Sequence, residues 1–145
     1  MEENYEYLES KSIEELLEII HNFNDMNETA KALDLLSDEN SKQALEEGLN
    51  FLINNAGDEY FQAMIIDTLD YIDINKVINC LKNRKDSIQP YLLGEIMHEM
   101  TVYALDISID DYLDFIMKEY NSLDNRAKER IHEKYTEFVS KFNII

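Results

Sequence analysis

Apolar residues recur every three to four positions along almost the whole chain, and little interrupts them: 145 residues include three glycines and a single proline, Pro90. Hairpins and sandwiches need turn residues that tolerate positive φ at each reversal, so this scarcity argues against a β fold. Helices close their ends with side-chain caps instead. Ile13, Leu16, Leu17, Ile20 and Phe23 follow the i, i+3, i+4, i+7 pattern, preceded by Ser12 and Glu15, which have the spacing of a capping box. The spacing predicts a helix over 12–23. The same reading predicts helices over 27–36, 40–55, 58–72, 74–84, 87–104, 109–121 and 124–142, with starts at Asn27, Asn40, Asp58, Ser87, Ser108 and Asp124. Short polar connections make successive helices antiparallel neighbours within a single all-α domain, 1–145.

Helix pairs recur about every 30–35 residues, the period of a HEAT-like helical-hairpin solenoid. The segment Tyr60-Phe61-Gln62-Ala63-Met64-Ile65-Ile66 aligns with Tyr91-Leu92-Leu93-Gly94-Glu95-Ile96-Met97 in support of that period. A compact irregular bundle of about eight short helices is the alternative.

Charge narrows the partners. The chain carries −18, and residues 1–73 hold 19 acidic residues against Lys11, Lys31 and Lys42, a balance of −16. Nucleic acid and anionic membranes are poor partners for such a surface, whereas a basic protein is a good one. No stretch approaches the roughly 18 apolar residues of a membrane span, and the start of the chain has no secretory signal. The lone Cys80 cannot form an internal disulfide, and a reduced cytoplasmic setting is expected.

Motifs for chemistry are few. Each histidine follows a glutamate by three residues (Glu18/His21, Glu95/His98, Glu129/His132), the helical spacing from which di-iron bundles build their ligand sets. An acidic helical chain produces such pairs readily, so they are read as surface contacts; no metal, cofactor or catalytic residue is expected. Cys80 and the serines lack a nucleophile motif, and Asp106, Asp110 and Asp111 lack the glycine and terminal glutamate of a calcium loop. The run Lys82-Asn83-Arg84-Lys85 falls at a helix C-terminus, where cations complement the dipole.

The helix at 58–72 is more informative. A helical wheel places Phe61, Ile65, Thr68 and Ile72 in a buried arc and Glu59, Gln62, Asp70 and Asp73 opposite it. Tyr60, Asp67 and Tyr71 share the edge between the two arcs. Aromatic area beside carboxylates suits a Lys- or Arg-rich partner surface, so Glu59, Tyr60, Asp67, Asp70, Tyr71 and Asp73 are the expected partner-binding residues.

The stretch Asp58-Glu59-Tyr60-Phe61-Gln62-Ala63-Met64-Ile65-Ile66-Asp67-Thr68-Leu69-Asp70-Tyr71, followed by Gln89-Pro90-Tyr91-Leu92-Leu93-Gly94-Glu95-Ile96, resembles the bacterial immunity protein 30 family. The resemblance covers roughly residues 50–105, with Tyr91 where that family carries tryptophan. It implies a helical protein encoded beside a polymorphic or contact-dependent growth-inhibition toxin and neutralising it by direct binding. A helical-repeat scaffold and an acidic mimic of DNA are the alternative functions.

Overall fold

The computed structural model describes residues 5–103 and 109–144. After a 3₁₀ turn at Glu6–Ser10, the helices are α1 (Ile13–Asn22), α2 (Met26–Glu39), α3 (Ser41–Ile53), α4 (Glu59–Asn83), α5 (Pro90–Tyr103), α6 (Ile109–Asn121), α7 (Asn125–Arg130) and α8 (His132–Lys141). No strand occurs among the described residues, so the chain is all-α. No helix among them is long and apolar enough to cross a membrane.

Local side-chain chemistry sets most helix starts. Glu15 N donates to Ser12 Oγ at 3.2 Å while Ser12 N donates to Glu15 Oε1 at 3.1 Å, completing the expected capping box. Asn40, Asp58 and Asp124 cap α3, α4 and α7 as expected. Three boundaries differ. Asp25, not Asn27, caps α2, accepting from Glu28 N at 3.0 Å. Pro90, pre-set in φ and without an N–H to satisfy, opens α5 three residues after Ser87. The helix expected over 124–142 breaks at Ile131, which leaves α7 and α8 as separate pieces. Ser108 and Asp106, and the side chains of Asp110 and Asp111, lie outside the described residues.

α4 spans two of the expected helices because its backbone leaves helical geometry at Asp73 alone (φ −161°, ψ 88°). Lys76 N donates to Asp73 Oδ1 at 3.2 Å, so Asp73 caps the second limb, 74–83. The rings of Tyr60 and Tyr91, in the opening turns of α4 and α5, lie 4.6 Å apart, so the first limb and α5 run side by side in the same direction. The second limb returns behind them. Its start meets the start of α6, where Tyr112 Oη donates to Asn75 O at 3.4 Å, and its end meets the end of α3, where Arg84 Nη1 donates to Leu52 O at 2.9 Å. Three hairpins result: α2–α3, the two limbs of α4, and α5–α6, beginning at Met26, Glu59 and Pro90. A front layer of α2, the first limb and α5 stands on a back layer of α3, the second limb and α6, while α8 packs against α5.

One continuous core runs from Leu16 to Phe138 through Leu33, Leu52, Ile65, Leu69, Val77, Leu93 and Met97. Fully burying each such side chain contributes about 1.5–3 kcal/mol. The first limb of α4 lies in the middle and is covered by both α3 and α5. This overturns the two-sided wheel reading of that helix: Gln62 is 2% and Asp70 6% exposed, although both sit opposite the Phe61 arc. Buried polar groups need partners. Gln62 Nε2 donates to Asn55 Oδ1 at 2.8 Å and to Ala56 O at 3.1 Å, and its Oε1 accepts from Arg84 Nη1 at 2.8 Å. Arg84 is therefore a buried staple across α3 and α4, capping a neighbouring helix as well as ending its own.

Candidate protein-binding site

The opening turns of α4 and α5 are joined by a side chain. Asp58 Oδ1 accepts from Phe61 N at 2.8 Å, and Glu59 Oε2 reaches across to accept from Tyr91 N at 3.1 Å. Glu59, expected to face a partner, is half-buried and serves as a cap for α5. The junction brings Tyr60 and Tyr91 into ring contact, yet 50% of Tyr60 and 36% of Tyr91 stay exposed. Tyr71, further along the same stripe, is 82% exposed. Rigid aromatic area left open to solvent is the material of an interface anchor.

Carboxylates adjoin this aromatic edge. Asp67 is exposed on the α4 stripe, between Tyr60 and Tyr71. Facing it from α5 are Glu95, its side chain 12% exposed, and Glu99, buried. Asp67, Glu95 and Glu99 each place a carboxylate oxygen within 4.8 Å of the other two. Lys134 of α8 answers part of this charge, with Nζ 2.9 Å from Glu95 Oε2 and 5.4 Å from the centre of the Tyr91 ring. Burial, reinforced by the charges of Glu99, Asp67 and Glu95, pushes the Asp70 carboxyl up to about 9. Burial and then the facing Asp67 carboxylate push Glu99 up to about 8. Asp67 is raised above the ordinary aspartate range by partial burial, an effect that the neighbouring Glu99 opposes.

Of the residues expected from sequence, Tyr60, Asp67 and Tyr71 share one exposed stripe. Asp70 lies beneath it, while Glu59 and Asp73 are helix caps. Sequence reasoning missed Tyr91, Glu95, Glu99 and Lys134 as members of the site. The 31-residue offset that aligns Tyr60 with Tyr91 carried the signal for Tyr91, and the helical spacing of Glu95 and Glu99 carried a weaker one. Lys134 is 39 residues from Glu95 and has no local signal.

The histidines go elsewhere. His21 Nε2 lies 2.9 Å from Glu47 Oε1, a residue of α3 and not its expected partner Glu18. The break at Ile131 puts Glu129 and His132 on different helices, and His98 stands outside the three-carboxylate group that includes Glu95. The basic run at 82–85 lines a cleft of about 530 Å³ with Asp114, Lys118 and Glu119, although Arg84 is committed to the core. No family model, curated protein or solved structure matches the chain.

Proposed function

We propose that this chain is an acidic protein-binding module that neutralises a basic toxin domain by direct contact, acting by occlusion and without turnover. The observation that carries the reading is the α4–α5 edge, where the Tyr60 and Tyr91 rings pack against each other at a tilt, partly exposed, beside Asp67 and Glu95. A cationic partner side chain laid on such rings gains cation–π attraction and a carboxylate at once. The stretch that resembles immunity proteins, roughly 50–105, is the stretch that builds α4 and α5. The −16 balance of residues 1–73 adds a field that draws a basic domain toward this side of the chain. A toxin neutralised inside the cell that makes it requires a cytoplasmic inhibitor.

The test is co-expression with the C-terminal domain of the protein encoded immediately upstream. Cells carrying both should grow and the two chains should co-purify. Growth arrest that this chain does not relieve, with no complex recovered, would contradict the proposal.

A further inference from the structure

Three carboxylate oxygens within 4.8 Å of one another repel unless something positive or a donated proton stands between them. Lys134 pairs directly with Glu95, at 2.9 Å, and its charge acts on Asp67 and Glu99 only from farther off. Two buried oxygens deepen the deficit. Glu99 Oε2 and Asp70 Oδ1 are buried and find no hydrogen-bond partner among the described residues, on side chains whose residues are only 8% and 6% exposed. Glu99 is itself one of the three, and Asp70 lies one turn from Asp67 on α4, within the field of all three. A buried acceptor without a partner in a folded chain points to a missing positive or protic group. Asp67, exposed at the mouth of the cluster, leaves a path for a small ion.

The donor set says which ion. It is all carboxylate oxygen, the chemistry of hard cations, and His98 and Cys80 are not members, which disfavours zinc and copper. Oxygens on opposite sides of Ca²⁺ lie about 4.6–5.2 Å apart and those around Mg²⁺ no more than about 4.2 Å. Three carboxylates gathered within 4.8 Å of one another, two of them largely shielded from solvent, leave little room for the waters that Mg²⁺ retains, which favours Ca²⁺. We propose that Asp67, Glu95 and Glu99 form a calcium site that ties the first limb of α4 to α5, with Asp70 supplying charge from beneath. Calcium there replaces repulsion between two adjoining helices with attraction and fixes the base of the tyrosine pair. The site is a property of the isolated chain and does not depend on the toxin-binding reading.

The experiment is calorimetric titration of chelator-treated protein with CaCl₂ alone at pH 7.5, accompanied by thermal melts with and without the ion. Wild type should take up one Ca²⁺ per chain and melt higher in its presence. Glu99→Gln should lose at least tenfold in affinity. Because the amide has the shape of a protonated carboxyl and carries no charge, this variant should fold, and its ion-free melting temperature should be no lower than that of wild type. Asp67→Asn, at an exposed position, provides a second variant with the same expected loss. Glu133→Gln on α8 should bind as wild type does. Binding that is weak, has no defined stoichiometry and is equal in wild type and both variants would mean a diffuse counterion cloud and overturn the site, as would the absence of any binding. Tighter binding of Mg²⁺ than of Ca²⁺ would overturn the assignment of the ion.

Discussion

Lys134 Nζ, on α8, lies 2.9 Å from Glu95 Oε2 on α5 and 5.4 Å above the Tyr91 ring, so one ammonium serves both the aromatic pair and the carboxylates beside it. Glu99 Oε2 and Asp70 Oδ1 are buried nearby and have no hydrogen-bond partner among the described residues. The front layer thus gathers its buried acid groups where α4 meets α5.

That concentration makes stability depend on pH in a defined direction. Asp70 and Glu99 are raised by burial and neighbouring carboxylates from 3.8 and 4.5 to about 9 and about 8. Folded carboxyl groups with raised values bind protons that the unfolded chain has released, so their contribution is fully present below about pH 4 and is lost as pH rises toward 8–9. Each group changes stability by at most about 1.4 kcal/mol per pH unit within that window. Metal-free protein should therefore melt higher at pH 5.5 than at pH 8, and Asp70→Asn with Glu99→Gln should flatten the dependence. An equal or higher melting temperature at pH 8 in the wild type would show that these groups are not protonated in the fold.

Arg84 holds the back of the same hairpin. Its Nη1 donates to Leu52 O and Gln62 Oε1, at 2.9 and 2.8 Å. Arg84→Met keeps much of the volume and leaves both acceptors without that donor, which should cost about 3 kcal/mol in urea denaturation. Arg84→Lys should recover only part of this, because an ammonium on a flexible stem cannot reproduce the planar fork. A loss below about 0.5 kcal/mol for the methionine variant would remove Arg84 from the account of the fold.

These contacts divide what the sequence makes legible from what it does not. Ser12, Asn40, Asp58 and Asp124 cap helices through atoms three residues away, so short-range pattern finds them. Tyr60, Asp67 and Tyr71 form a visible stripe for the same reason. Asp70 and Gln62 defeat the helical wheel because α4 is covered from two sides, and a wheel assumes one covered face. Glu99 and Lys134 join the site through packing of α5 against α4 and α8, and no local spacing encodes that. The break at Ile131 likewise has no glycine or proline to announce it.

Gly48 shows how closely the central helices pack. A Cβ there would stand 2.5 Å from Leu69 Cδ1 and 2.7 Å from Leu69 Cδ2, and Leu69 is fully buried. Gly48→Ala gains about 1 kcal/mol in helix propensity but forces α3 away from α4, a strain of about 1–3 kcal/mol. The net should be a loss, read as a lower melting temperature. Gly48→Ala with Leu69→Val should recover part of it. A single variant more stable than wild type would show that α3 and α4 have room to separate.

The central claim is that the tyrosine and carboxylate edge of α4 and α5 binds a basic protein, and affinity for the partner domain tests it most directly. Calorimetry would compare wild type, Tyr60→Ala with Asp67→Lys, and a control with Glu129→Lys and Glu133→Lys, two exposed positions on α7 and α8. Thermal melts of every variant accompany the titrations, since Tyr60 also packs on Tyr91. The first pair should lose about thirtyfold or more, near 2 kcal/mol, and the control should change little. Wild-type affinity should also weaken with salt, because exposed charges are screened over about 8–10 Å at physiological ionic strength. A Tyr60/Asp67 variant that folds and binds as wild type does, alongside a control that abolishes binding, would contradict the account and move the interface to the C-terminal helices.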